Sequence, residues 1–382
     1  MNLKIALFTD TFAPQVNGVA KTLKRFTDYL DDHFIEYKVF APDCTKDEEL
    51  FSTHIHRFTS LPFFLYPECR LALPNMVGVK NELLQFKPDI IHVATPFNVG
   101  LCGIHYAKKL NIPLVGSYHT DFDQYLEYYE LQFLSPLLWK YLKWFHRSFL
   151  KTFVPSIVTR EQLRKHGFTD MYLWKRGVDS TLFKPNTQST IREKYKIKEK
   201  YIISYVGRLA PEKDVQTLLE TMNSLPISLQ NNVRWLVVGD GPSKIEMQVS
   251  SPQNVTYTGY LSGEQLADIY AAADLFVFPS PTETFGNVVL ESLACGTPVI
   301  CANSGGVKDI IKHGETGLLC EPKNVASFVL SVENLLLNHE KRFEMSINAR
   351  KYALTQTWET IFDHLIHEYE AVIHQQRNIK FA

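Results

Sequence analysis

The stretch DLFVFPSPTETFGNVVLESLACGTPVICA, residues 274–302, reads as one strand–loop–helix–strand unit. "DLFVFP" is a short apolar run of the kind found in strands buried on both faces. Pro279, Pro281 and Thr282 end it. From Asn287 the apolar residues take helical spacing, and Gly296 followed by Pro298 stops that helix. "PVICA" is a second buried strand. Two such strands joined by a helix lie parallel in one sheet, covered by helices.

The same alternation fills the chain. The first half has strand candidates "KIALF", "YKVFA", "DIIHVA", "PLVGSY" and "TFVPS", with helices beginning near Gly18, Asn75, Asn98, Ser135 and Thr159. The second half has "YIISYVG", "VRWLVVG", "VTYTG", "DLFVFP", "PVICA" and "GLLC". Helices fall near 214–223, 263–272, 287–295 and 325–337, the second opening with a capping-box spacing of Ser262 and Gln265. The chain's 382 residues exceed one ordinary core. The pattern therefore predicts an α/β protein of two doubly wound, Rossmann-like domains, 1–180 and 181–357. A C-terminal helix, 358–382, is expected to return to the first domain. The boundary falls in "WKRGVDSTLFKPNTQST", which loses periodicity and contains Pro185.

Hydrophobic residues make up 45% and charged residues 21%, as in a folded protein. Net charge is −1, from 40 basic and 41 acidic residues, so nucleic acid is not an expected partner. Cysteines 44, 69, 102, 295, 301 and 320 form no C-x-x-C pair. Buried free thiols in a reducing cytoplasm are expected. "MNLKIALFTDTFAPQ" reads as a strand and a polar loop rather than a signal peptide, and no apolar run reaches about 18 residues.

Doubly wound domains bind ligands beyond the carboxyl ends of their strands, so the residues there carry the function. After "YIISYVG" come Arg208 and Lys213, flanking Pro211 before a helix. They make an anion site or a solvated loop. "GDGPSK" is neither G-x-G-x-x-G nor a Walker loop, which removes the usual support for a dinucleotide oxidoreductase or P-loop nucleotidase. In the opening stretch, Glu283 precedes a helix, where carboxylates complement the dipole. Gly286 permits close backbone approach. Glu291 sits among apolar neighbours, one turn from Asn287, where a half-buried acceptor suits paired hydroxyl donors. Gly305-Gly306 offers another close approach. Gly18 opens a helix whose free N–H groups suit phosphate. His119 lies just beyond a strand, in a structural or a reactive role. Asp121-Phe122-Asp123 invites a metal reading, but no third hard ligand stands nearby, and no metal site is expected.

Taken together, these segments resemble the retaining glycosyltransferases of family 4, which have the GT-B fold. The match rests on E-x7-E, here Glu283 to Glu291, with "VGRLAPEKD", "VVGDGP", "AAADLFVFPS" and "GGVKDIIKHGETGLL" in the expected order. "SYHTDFDQY" and "LWKRGVDSTLF" look closest to the branch of mannosyl-, sulfoquinovosyl- and glucosyl-transferases that act on glycolipids. Asn17-Gly18 stands where many relatives carry Gly-Gly, and Asp309 where many carry Glu. The resemblance implies a nucleotide-sugar donor as substrate, GDP-mannose or a UDP-hexose, with no cofactor and no metal. Arg208 and Lys213 would bind its diphosphate. Glu291 would hold the ribose. Glu283, with the backbone of Phe285, Gly286 and Asn287, would hold sugar hydroxyls. Gly18 would face the phosphates, and His119 the sugar near the reacting centre. The acceptor would be a lipid or a carbohydrate. A two-domain sugar-binding protein without turnover is the competing class; it has no need of both cations.

From Leu131 to Arg160 there is no Asp or Glu. At helical spacing Lys140, Lys143, Arg147 and Lys151 line one face, with Trp139 and Trp144 near the border of an apolar one. This suits a helix on an anionic membrane surface, at the inner face of the cell membrane. A core-packed helix with a solvated basic side is the other reading.

Overall fold

Strands that are apolar throughout must be covered on both faces, and each half of the chain is built that way. The computed structural model describes residues 3–15, 17–43, 54–62, 70–119, 126, 132–186 and 188–381. Two units result: Met1–Lys175 with Ile361–Ala382, and Arg176–Thr360.

The first unit contains β1 (Lys4–Phe8), β2 (Glu36–Pro42), β3 (Ile55–Phe58), β4 (Ser60–Pro62), β5 (Arg70–Ala72), β6 (Ile90–Val93), β7 (Leu114–Ser117), β8 (Lys151–Val154) and β9 (Met171–Leu173). Its helices are α1 (Gly18–Asp32), α2 (Met76–Phe86), α3 (Asn98–Leu110), α4 (Ser135–His146) and α5 (Ile157–Lys165). The sheet runs β3-β2-β1-β6-β7-β8-β9, with parallel pairings. The strand order reverses between β1 and β6, which is where such a fold opens a crevice. Helix α1 is amphipathic: Ala20, Leu23, Phe26 and Leu30 are buried. Asn17 caps it, Oδ1 accepting from the Ala20 N–H at 2.8 Å.

The second unit contains β10 (Tyr201–Val206), β11 (Val233–Val238), β12 (Val255–Gly259), β13 (Leu275–Phe278), β14 (Val299–Ala302) and β15 (Gly317–Cys320). Its helices include α6 (Val215–Ser224), α7 (Lys244–Ser250), α8 (Gly263–Ala272), α9 (Asn287–Ala294), α10 (Val325–Leu337) and α11 (His339–Ala353). The sheet order is β12-β11-β10-β13-β14-β15, so the reversal lies between β10 and β13. Helix α9 ends as its sequence requires. The Gly296 N–H bonds Leu293 O and the Thr297 N–H bonds Ser292 O, both at 3.0 Å, with Gly296 at φ 75°. Val289, Leu290 and Leu293 of α9 are fully or almost fully buried, each contributing about 1.5–3 kcal/mol.

The last helix, α12 (Trp358–Phe381), belongs to the first unit from Ile361 onward. Its buried Phe362 and Tyr369 meet Phe26 of α1, with ring centroids 5.1 and 6.2 Å apart.

Several elements differ from the sequence reading. Ser262 precedes α8, but its side chain makes no cap hydrogen bond, so the capping box does not form. The short strands β3, β4, β5 and β9 carry no alternation long enough to be read, and α11 lacks an apolar stripe. Cys102, Cys295, Cys301 and Cys320 are buried free thiols, as expected; Cys44 and Cys69 lie outside the described residues. Among the described residues, no helix is long and apolar enough to cross a membrane.

Candidate active site

In the second unit, β10 and β13 deliver their loops side by side at the point of reversal. After β10, Pro211–Lys213 makes a single 3-10 turn and Asp214 takes a left-handed conformation, φ 51°. Its side chain then caps α6 by accepting from the Thr217 N–H at 3.4 Å. This places Lys213 inward and leaves Arg208 half exposed. Lys213 Nζ lies 2.5 Å from Glu283 Oε1, on the loop after β13, with side-chain exposures of 23% and 17%. Ser280 Oγ donates to the same oxygen at 3.1 Å. Arg208 pairs with Glu212, whose other oxygen, Oε2, is buried with no partner among the described residues. Thr282 Oγ1 donates to Glu212 O at 2.9 Å, tying the two loops together. Two cations and two carboxylates therefore alternate across the strand ends. Paired cations on a strand-end loop suit an anionic group, and a carboxylate beside them suits hydroxyl donors.

Gly286 adopts φ 99° as the N-cap of α9, and a Cβ there would stand 2.5 Å from Val307 Cγ1. Packing thus demands this glycine whether or not a ligand is present. The close approach expected at Gly305-Gly306 is made by the protein itself. The Gly306 N–H bonds Glu283 O at 2.6 Å, and a Cβ on Gly306 would lie 2.2 Å from Thr284 O. The loop after β14 thereby braces the Glu283 loop. Phe285 is buried in the core, and Asn287 is exposed at the first turn of α9. Glu291 is half-buried, and Tyr270 OH donates to its Oε2 at 3.3 Å. Burial and that carboxylate push the Tyr270 phenol well up, so it stays a donor.

In the first unit, Asp10 follows β1 and is fully buried. Its carboxylate accepts from Thr95 Oγ1 at 2.7 Å and from the Val99 N–H at 2.9 Å, joining the loops after β1 and β6 to the start of α3. Burial raises its pKa to about 6 in spite of these bonds. Gly18 is exposed, and nothing lies within 4 Å of the position a Cβ would take, so the first turn of α1 is open to a ligand. His119, half-buried just after β7, has its Nε2 at 2.8 Å from Ser117 Oγ and packs edge-on to Trp174 at 5.1 Å. It lines a small pocket with Thr95, Pro96 and His146. Asp121 and Asp123 lie outside the described residues.

The basic helix needs two corrections. Helix α4 ends at His146, so Lys151 does not continue its face. It begins β8, is 9% exposed and pairs with Glu368 Oε2 of α12 at 2.5 Å, because "KTFV" is drawn into the sheet beside β7. Trp139 is 8% exposed and stacks on His166 at 3.6 Å; it is core, not surface. Lys140, Lys143, Trp144 and Arg147 are exposed as expected. They stand with Phe133 and Leu137, which are 75% and 66% exposed and which sequence reading passed over.

Asp10, Glu212, Ser280 and Tyr270 were also passed over. Asp10 is the second residue beyond β1, so its strand-end position marks it. Tyr270 is 21 residues from Glu291, and only folding joins them.

Two family models match the chain: Glycosyltransferase Family 4 over residues 16–182, and Glycosyl transferases group 1 over residues 187–352. A GDP-mannose-dependent alpha-mannosyltransferase of Mycolicibacterium smegmatis is 32% identical over 379 residues, 97% of this chain and 98% of the relative. Alpha-monoglucosyldiacylglycerol synthase of Streptococcus pneumoniae is 30% identical over 335 residues, 83% of this chain and 75% of the relative. Among solved structures, sucrose-phosphate synthase from Thermosynechococcus elongatus shares the fold, with a TM-score of 0.78 at 21% identity over 98% of this chain and all 100% of the other.

Proposed function

We propose, from the premise that this chain belongs to the family 4 nucleotide-sugar glycosyltransferases of GT-B fold, that it moves mannose from GDP-mannose to a glycolipid hydroxyl with retention and without a metal. The observation that carries the reading is the Lys213–Glu283 pair, at the point where strand order reverses. The acceptor oxygen forms a bond to the anomeric carbon as the bond from that carbon to the diphosphate oxygen breaks. The acceptor's proton passes to the departing phosphate oxygen on the same face, and the nucleoside diphosphate leaves. Negative charge grows on the diphosphate as the bond breaks. Lys213 and Arg208 are preorganised to meet it, which is the work a metal does elsewhere. Glu283 accepts from sugar hydroxyls, Glu291 from the ribose, and His119 meets the sugar at the reacting centre. The donor assignment follows the mannosyltransferase relative, and the lipid acceptor follows the diacylglycerol-named one.

The exposed stripe of Phe133, Leu137 and Trp144, beside Lys140, Lys143 and Arg147, is proposed to lie on anionic lipid. A thermal-shift panel of GDP-, UDP- and ADP-sugars tests the donor, since a specific ligand stabilises by mass action. Stabilisation by GDP-mannose alone, and transfer to diacylglycerol-type acceptors in excess EDTA, are the expected results. Loss of transfer in EDTA with recovery in Mg²⁺ or Mn²⁺ overturns metal independence, and preference for a soluble glycan overturns the acceptor.

A further inference from the structure

Behind His119 runs a chain of buried polar groups that the transfer chemistry does not use. Tyr369 OH of α12 makes a short hydrogen bond to His92 Nδ1 of β6. His92 Nε2 lies 2.9 Å from Ser117 Oγ, and Ser117 Oγ lies 2.8 Å from His119 Nε2. Tyr369 and His92 are 0% exposed and Ser117 4%. Around them are the rings of Phe26, Phe153 and Trp174. A polar chain in such surroundings persists only if its members satisfy one another.

We propose that Tyr369, His92 and Ser117 are positioning residues, a relay that fixes His119 as the neutral tautomer protonated on Nδ1. The inference rests on the reading of His119 as a group at the reacting centre. Each link of the chain carries one proton, so its direction is set at its ends. Among the described residues the Tyr369 hydroxyl has His92 Nδ1 as its hydrogen-bond partner, so the phenol gives its proton to that nitrogen. His92 is neutral, its pKa driven down to about 3 by burial, and therefore holds its single proton on Nε2. That proton goes to Ser117 Oγ. The serine hydroxyl then donates to His119 Nε2, and the neutral His119 ring keeps its proton on Nδ1. Reversing the chain strands the phenol proton among apolar rings.

The consequence is chemical. With Nε2 occupied by the serine proton and Nδ1 protonated, His119 has no lone pair to offer as a base. Any hydrogen bond His119 makes through its ring nitrogens beyond Ser117 is therefore one it donates, from Nδ1, and the acceptor's proton is left to the departing phosphate. The relay also gives α12 a part in the reaction, since Tyr369 sits on it.

Long-range ¹H–¹⁵N NMR of the full-length protein reads the tautomer directly, with the His119 signals assigned by their loss in His119→Ala. The wild type is expected to show Nδ1 protonated. Tyr369→Phe, which keeps the ring, and Ser117→Ala should each give a mixture of tautomers and lower kcat by about tenfold, with donor KM within about twofold. An Nε2-protonated wild type overturns the proposal. So does a Tyr369→Phe variant whose tautomer and kcat match wild type, even if Ser117→Ala changes both. Full transfer activity in His119→Ala refutes the role of His119 at the reacting centre, while the tautomer in the wild type and Tyr369→Phe still decides the relay.

Discussion

Lys213 has two separable jobs, and its removal tells them apart. Structurally, it is the cation 2.5 Å from Glu283, and Lys213→Ala leaves that carboxylate with Ser280 Oγ, at 3.1 Å, as its donor among the described residues. The carboxylate is 17% exposed and keeps one hydrogen bond, so the loss of stability is about 1–2 kcal/mol rather than the 3–5 of a fully buried orphan. In a unit of this size that lowers Tm by about 3–6 °C. Chemically, Lys213 meets charge that develops on the diphosphate, and losing one such preorganised donor costs about 10²–10³ in turnover, or roughly 3–4 kcal/mol. The assay is a thermal melt beside steady-state transfer for Lys213→Ala, Glu283→Gln and the double variant. Neutralising Glu283 removes the orphaned charge, so the double variant should regain most of the Tm but none of the rate. If rate returns with stability, Lys213 merely holds Glu283 and the catalytic assignment is wrong. A Lys213→Ala enzyme within about threefold of wild-type turnover refutes it equally.

Glu291→Gln removes a charged acceptor and should raise donor KM by about 10–100-fold with kcat little changed; a kcat effect alone contradicts the ribose assignment. Phe133→Glu with Leu137→Glu should cut binding to anionic vesicles by at least about tenfold in a sedimentation assay, while Trp139→Ala should lower Tm instead, because Trp139 is core. Stability should fall on acidification from pH 6.5 to 4. His92 and His146, depressed by burial from 6.5 to about 3 and about 4, stay neutral when folded, so the unfolded chain takes up their protons as pH drops. Asp10 works the other way. Its pKa is raised from 3.8 to about 6, so its stabilisation is complete below the lower value and is lost as pH rises through the higher. The two histidines outweigh it by about one proton, and urea melts of Asp10→Asn should show a steeper acid loss than wild type.

The sequence alone determined the layered architecture, because buried parallel strands and amphipathic helices leave opposite local periodicities. Its strand ends mostly agree with those observed to within one or two residues, from "KIALF" to "GLLC". It also pointed to the candidate site, because strand-end position is a local property: Arg208 and His119 are the second residues beyond β10 and β7, and Lys213 and Glu283 lie on the loops after β10 and β13. What it could not supply was company. Lys151 looked like the next step of a helical face, and only its pairing beside β7 and its bond to Glu368 show it as a buried strand residue. Trp139 carried no mark of facing His166 rather than lipid. Gly286 and Gly306 looked like room for a ligand, and only the fold shows that Val307 and the Glu283 loop require them too. The relay behind His119 joins β6, β7 and α12, and its Tyr369–His92 bond spans 277 residues of chain. Periodicity and turn chemistry act over a few residues and so are written in order along the chain. Charge pairing, stacking and proton direction depend on atoms that only the closed sheet brings within 3 Å of one another.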